Sequence, residues 1–456
     1  MPRSLQLVRL AVLAALGLAA AAASPSGAAN APAYGVGAPR FVVSAAPAAL
    51  NNADFAGEPS LGVSWKSGNA LFQANTSTYK LRFDDRATPP TISWSDVSSP
   101  YSLYNMDPIL ATDPATGRTI AGGDDGGCAV MSITSDDGES WSPGLPCTGV
   151  IDHPAVGLGP FRGTPPAGAS GSTAAYFCQQ YPLLNQCSRS LDGGATWSPG
   201  QTVTGCLGLF GHIRVAPDGI AYVPHRNCAV GSLSGVGGFY SKDNGLSWPS
   251  YVIPGAEHPT RGFDPSVGVT TDGTLFEAWG SNLQMHPLVA VSPGGLGHWS
   301  KPIDLAGTVD PPLAGTAFHT VVAGGPGRAA VAFLGSRHVP KEGVVPIDDP
   351  EGAWDLFVSM TYDEGRTWTT TQVTTDPVQR GGISDAGVTA ATSRNLLDFM
   401  DAGVTREGRV VVGFADGCIE SKHCLDDGAK VETSTEQWAT VAYQSAGRGL
   451  FAQYDR

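Results

Sequence analysis

The sequence predicts an all-β fold: a single β-propeller of four-stranded blades, seven by repeat spacing, or six if one weak repeat is a long insertion. Three observations carry that expectation. An eight-residue turn motif occurs four times in near-perfect form. A second pattern, a polar residue leading into a short apolar strand, occurs seven times upstream of the turns. Gly (59) and Pro (35) are abundant in the 456 residues, which favours dense turns over long helices.

The turn motif reads Ser or Thr, any residue, Asp, any residue, Gly, any residue, Ser or Thr, Trp. It stands at Thr134–Trp141, Ser190–Trp197, Ser241–Trp248 and Thr361–Trp368. A degenerate copy at Ser292–Trp299 keeps the Ser and the Trp, and a relic with an insertion runs from Phe83 to Trp94. An Asp at a tight turn accepts hydrogen bonds from nearby backbone N–H groups, and a Gly takes backbone angles that other residues resist. The Trp is expected to pack beneath the turn. Asp136, Trp141, Asp192, Trp197, Asp243, Trp248, Asp363 and Trp368 are therefore read as structural.

The second pattern marks the innermost strand of each blade. It begins at Glu58, Asp107, Asp152, His212, Asp264, Phe318 and Leu397. Seven starts over about 400 residues give roughly 58 residues per blade, enough for four strands with loops. Second strands are expected at Ile220–Pro224 and Val410–Phe414. An unpaired strand edge invites aggregation, so the ring has to close. The extended Phe41–Ser44 is expected to complete the final blade beside Ala439–Tyr443, and Leu450–Phe451 to begin a further strand. No composition break divides residues 31–456, which form one domain.

Residues 1–30 read as a signal peptide and a short lead. Arg3 and Arg9 precede the apolar run Leu10–Ala23, and small residues near 23–31 suit cleavage. The protein is therefore expected to be secreted, without a membrane span and monomeric. The eight cysteines agree with an oxidising compartment. About 105 connectivities exist in principle, and neighbours in a repeat fold favour local pairs. Those pairs are Cys128 with Cys147, Cys178 with Cys187, Cys206 with Cys228, and Cys418 with Cys424. A formal charge of −14 disfavours nucleic acid, whose phosphates need a clustered basic field.

With its four turns, the chain resembles the Asp-box repeat proteins of the sialidase superfamily. That resemblance places the boxes between the outer strands, on the face away from a ligand. It implies an exo-α-sialidase-type glycoside hydrolase acting on extracellular glycans. Sialidases have six blades, so a seventh repeat departs from the family. Their three arginines grip the sugar carboxylate bidentately, a Tyr activated by Glu is the nucleophile, and an Asp is the acid/base. The first arginine usually lies in Arg-Ile-Pro; Glu58-Pro59-Ser60 stands there instead, and no Arg-Ile-Pro occurs anywhere. Arg214, Arg226, Arg261 and Arg394 are the arginines that could reach the centre.

Chemistry is expected where the innermost strands begin. Asp264, His212 and Asp107 are the candidate catalytic residues, with Glu58, Asp152, His153, Arg214, His319, Arg394, Asp398 and Asp401 around them for substrate. Such a ring suits general acid–base work, requires no cofactor, and could hold calcium. The structural alternative is that these groups cap strand ends. Glu277, between Leu275 and Trp279, is a lesser candidate, as are the acidic loops Asp348-Asp349-Pro350-Glu351 and Asp124-Asp125-Gly126-Gly127. No Gly-x-Ser-x-Gly, His-Glu-x-x-His or phosphate-loop motif is present. Two functions remain, an exported glycoside hydrolase and a non-catalytic propeller that binds glycan or protein.

Overall fold

Alternating apolar residues bounded by Gly, Asn and Asp turns give strands, and the described residues form almost nothing else. The structure, a computed structural model, describes residues 37–455 apart from 103–106, 125–128, 145–151, 182–183, 260–262, 283–284, 384–395, 420–423 and 425–435. Strand β1 is Arg40–Ala45. Antiparallel groups follow, beginning with β2 (Ser60–Val63), β3 (Ala70–Ala74), β4 (Ser77–Asp84) and β5 (Thr91–Asp96). The second is β6 (Ile109–Thr112), β7 (Thr119–Asp124), β8 (Ala129–Thr134) and β9 (Ser142–Pro143). The third is β10 (Asp152–Pro160), β11 (Thr173–Tyr181), β12 (Leu184–Ser190) and β13 (Gln201–Leu207). The fourth is β14 (Arg214–Val215), β15 (Ala221–Val230), β16 (Leu233–Ser241) and β17 (Ser250–Val252).

The fifth group is β18 (Ser266–Val269), β19 (Leu275–Gly280), β20 (Pro287–Ser292) and β21 (Ile303–Asp304). The sixth is β22 (Gly315–Ala323), β23 (Ala329–Ser336), β24 (Ala353–Thr361) and β25 (Thr369–Gln372), with β26 (Gln379–Arg380) added beside β24. The last contains β27 (Asp401–Val404), β28 (Val410–Asp416) and β29 (Trp438–Ala446), and β1 is its fourth strand. Val42 lies opposite Tyr443 and Ser44 opposite Val441, so both ends of the chain share one sheet, as expected for Phe41–Ser44. Leu450–Phe451 forms a bend rather than the expected strand: Leu450 N–H donates to Gly408 O and its carbonyl accepts from Gly325 N–H, so the segment is tied to two turns instead of a strand partner.

The first strands lie against one another in sequence: β2 on β6, β6 on β10, β10 on β14, β14 on β18, β18 on β22, β22 on β27, and β27 back on β2. Glycines permit that approach. A Cβ on Gly62 would lie 2.0 Å from Thr112 Oγ1, and one on Gly403 2.5 Å from Val63 Cγ2. The apolar cores lie between neighbouring sheets. Phe72, Tyr79 and Leu81 of the first pack with Val411, Val441 and Tyr443 of the last, all essentially buried.

The third and fourth groups are not separate. Cys206 on β13 is opposite Cys228 on β15, and the two are disulfide-bonded, so these groups form one continuous eight-stranded sheet. Cys178–Cys187 joins β11 to β12, and Cys418–Cys424 closes a short loop. Three of the four expected local pairs are thus present; Cys128 and Cys147 lie outside the described residues.

The four turn motifs join third strand to fourth strand in the second, third, fourth and sixth groups. In the first copy, Asp136 Oδ1 accepts from the Thr134 hydroxyl (2.7 Å) and Ser140 N–H (3.0 Å), while Oδ2 accepts from the Ser140 hydroxyl (2.6 Å). Asp192, Asp243 and Asp363 repeat the same three bonds. Gly138, with φ 82°, donates to Thr134 Oγ1, which explains the glycine of the motif. Partial burial would raise these carboxyls, but the hydroxyl and backbone donors outweigh it and hold all four below the usual range. Trp197 and Trp368 donate Nε1–H to the carbonyl of the motif glycine, so each ring is tied under its own turn.

Candidate functional site

An acidic cluster occupies the entry ends of the first strands. His153 Nε2 lies 2.8 Å from Asp264 Oδ2 and 2.6 Å from the Phe210 carbonyl oxygen, which fixes the ring between the third and fourth groups. The His153 backbone N–H points to Asp107 Oδ2 at 3.4 Å. Glu58, 4% exposed, interacts with Asp398, Asp107 and His153. Four first strands and the last are therefore brought to one point by four carboxyls and an imidazole.

The backbone there is held in an unusual state. Glu58 (φ 55°) and Leu397 (φ 57°), ahead of β2 and β27, and His153 (φ 54°) and Phe318 (φ 55°), within β10 and β22, all adopt left-handed angles. Each costs of order 1–3 kcal/mol for a non-glycine residue, and such strain clusters at functional sites. In the third and sixth groups it coincides with a register break between β10 and β11 and between β22 and β23.

The charges of the cluster are pushed apart. Burial, with Asp398 and Asp107 nearby, pushes Glu58 well above its ordinary value. Burial would also raise Asp264, but the His153 charge and hydrogen bond win and hold it low. For His153 burial pulls down, yet Asp264, Asp107 and Glu58 carry it up to about 10. The set thus places a carboxyl raised by burial, Glu58, beside an Asp264 carboxylate held low by its contact with His153.

A second ionic group forms where β27 begins. Asp401, fully buried, accepts from Leu61 N–H (3.0 Å), Ala402 N–H (2.8 Å) and the Arg214 guanidinium, and His212 Nδ1 is 3.6 Å away. Despite burial, Arg214 and His212 hold Asp401 far below its usual range. His212 also stands edge-on to Phe399, with ring centroids 4.4 Å apart. His319 is apart from both groups: Thr316 Oγ1 meets its Nε2 at 2.8 Å, and burial lowers it to about 3, so it is neutral.

The structure thus brings Glu58, Asp107, His153, Asp264 and Asp398 together, and His212, Arg214 and Asp401 together. Asp152 opens β10, and its side chain lies outside the described ones, as do Arg394 and Arg261. The sequence reading missed His225, buried against Asn185 Nδ2 (3.0 Å) and Gly208 O (3.2 Å), lowered by burial to about 4, and facing Asp264 electrostatically beside Arg226. Its signal was weak, because His225 sits mid-strand rather than at a strand start. His225 does approach Cys206 and Cys228, but those sulfurs are bonded to each other and supply no thiolate for a metal.

The lesser candidates have structural partners. Glu277 is buried on β19, where the Tyr251 hydroxyl donates to Oε2 at 2.7 Å, and burial raises its pKa. Asp349 lies 3.2 Å from His338 Nε2 and accepts Glu351 N–H at 2.9 Å, so the acidic loop is tied internally. Asp124 ends β7; 125–127 lie outside the described residues.

A cavity of about 480 Å³ lies at the other end of the first strands. All seven contribute to its wall, among them Val63, Ala111, Leu158, Val215, Val269, Val321 and Val404.

No protein-family profile matches the chain, and no curated protein does. Solved structures resemble it at low identity. One is a protein of unknown function from Dyadobacter fermentans, 14% identical, covering 90% of this chain and 100% of its own, with a TM-score of 0.45. Another is the Aleuria aurantia lectin in complex with α-methyl-L-fucoside, 11% identical over 70% of this chain and 96% of its own, TM-score 0.43. A third is the intramolecular trans-sialidase from Ruminococcus gnavus, 12% identical over 87% of this chain and 96% of its own, TM-score 0.39.

Proposed function

We propose that the protein is a secreted, monomeric, closed seven-bladed propeller of sialidase-superfamily type that acts on extracellular glycans as a glycoside hydrolase. The mutual contact of the seven first strands and the shared sheet of β1 and β29 support the closed ring. The Arg3–Ala23 leader and the disulfides support export.

One observation carries the chemistry: within a single cluster, Glu58 is pushed up and Asp264 is pushed down. Two carboxyls separated in this way divide into a proton donor and an ionised partner. Glu58 is the general acid, Asp264 with His153 is the ionised partner, and Asp107 and Asp398 keep Glu58 protonated. The described arginines favour a neutral glycan over a sialoside. A sugar carboxylate needs several free guanidinium groups; among the described candidates Arg214 is bound to Asp401 and Arg226 faces Asp264, while Arg261 and Arg394 lie outside the described residues.

A panel of fluorogenic glycosides, sialosides included, with and without calcium, tests this reading. Turnover of a neutral glycoside is expected, with losses of roughly 10²–10⁴-fold in the folded fraction of Glu58→Gln and Asp264→Asn. The near-complete burial of Glu58 favours a second reading, glycan binding without turnover. Silence from folded protein, with glycan-array binding that Asp264→Asn abolishes, would establish it. Silence on both panels overturns the site.

A further inference from the structure

The cavity at the exit ends of the first strands has no part in the chemistry above. It opens on the face that carries the four motif turns, because β6 and β8 run the same way and both end there. Arg214 lines it, and its guanidinium is bound to Asp401, whose carboxylate also lies 3.6 Å from His212 Nδ1. At about 480 Å³ it falls within the range of small-molecule sites. Its wall is mainly apolar, with Val, Leu, Ile and Ala from the seven first strands or their ends, and apolar cavities about a third of this size accept an aromatic ring.

The polar groups of the wall are mostly spent on one another. Asp113 accepts from Ala115 N–H, the Thr116 hydroxyl and the Thr173 hydroxyl, and Thr112 pairs with Thr119 at 2.8 Å. Trp65 Nε1–H donates to Val404 O at 2.8 Å, so its indole stands as a fixed wall. Arg214 differs. Nη2 binds Asp401, which neutralises the charge, while Nε and Nη1 form no side-chain hydrogen bond to any described residue.

We propose that this cavity is a second binding site, for a neutral apolar molecule with an aromatic or alicyclic body and one hydrogen-bond acceptor directed at Arg214. The aliphatic wall takes the body, and the spare guanidinium N–H groups take a carbonyl, ether or hydroxyl oxygen. An anion is disfavoured, because Asp401 already balances Arg214.

The test is titration of the full-length secreted protein with the naphthyl ketone prodan, whose emission shifts to the blue in apolar surroundings. A single saturable site is expected, with quenching of tryptophan emission through Trp65. Val269→Phe fills the cavity and should weaken binding at least tenfold. If that variant does not fold, Ala111→Val narrows the same space by two methyl groups and should weaken it at least threefold. Leu207→Ser and Leu233→Ser, at exposed apolar positions, should leave binding unchanged. Absence of a saturable site, or a site moved by the surface substitutions and not by the cavity substitutions, overturns the proposal.

Discussion

Arg214 and Asp401 are 187 residues apart, yet the guanidinium of the fourth group donates to the carboxylate that opens β27 in the last. The same carboxylate takes Leu61 N–H from the first group, so one buried side chain ties three sheets together. Asp401→Ala would leave Arg214 and two backbone donors without their acceptor. Such a loss costs about 3–5 kcal/mol, which a shift of the urea midpoint would measure. Arg214→Lys keeps the charge but cannot reproduce the planar donor, and should cost less. Equal, negligible costs for both would contradict the role given to the pair.

The motif turns should behave as equivalent structural parts. Replacing Asp192 by Ala removes three hydrogen bonds from one turn, at about 1–3 kcal/mol, and Asp363→Ala should match it. Trp197→Ala removes a tied ring and should cost more, about 3–5 kcal/mol. Neither should alter glycoside turnover in the folded fraction. Selective loss of turnover at wild-type stability would move the motif into the functional site.

The entry cluster sets a pH dependence. His153 is raised in the folded state, to about 10, so its stabilisation is complete below the unfolded value near 6.5 and is lost as pH rises toward 10. Glu58, also raised, costs stability increasingly above its unfolded value near 4.3. Asp264 and Asp401 are lowered, so their contribution is present above about 4 and is lost in acid. Melting temperature should therefore peak in mildly acidic buffer and decline on the alkaline side, by on the order of 3 kcal/mol in stability. His153→Gln should flatten the alkaline limb.

Two disulfides allow a direct comparison. Cys206–Cys228 spans 22 residues and joins two four-stranded groups, whereas Cys178–Cys187 spans 9 within one hairpin. Loop-closure entropy makes the longer link worth about 0.5–1 kcal/mol more. Paired Cys→Ser variants measured by denaturation should rank in that order.

The strand starts were legible because each first strand combines a polar entry residue with apolar alternation, a local signal. The turn motifs were legible for the same reason, since their donors and acceptors lie within eight residues. Phe41–Ser44 could be placed because a ring has to close. The clustering of Glu58 with Asp398, and of Arg214 with Asp401, depends on contacts between sheets hundreds of residues apart, to which local pattern is blind. Nor did the sequence foretell that Cys206–Cys228 merges two groups into one sheet, or that the channel would be apolar where the first strands end. His225 escaped because a mid-strand histidine reads as ordinary packing.

The pairing of β1 with β29 has a consequence for how the protein is made. Phe41 must wait for Gln444 before its sheet exists, and roughly 400 residues separate them. At ribosomal rates of about 5–20 residues per second, that wait is on the order of 20–80 s. Through it the amino-terminal strand has no partner, and any chain released early presents β28 with a bare hydrogen-bonding edge. A protein whose first and last described strands complete one another in this way defers the last turn of its assembly until the final strand has been made.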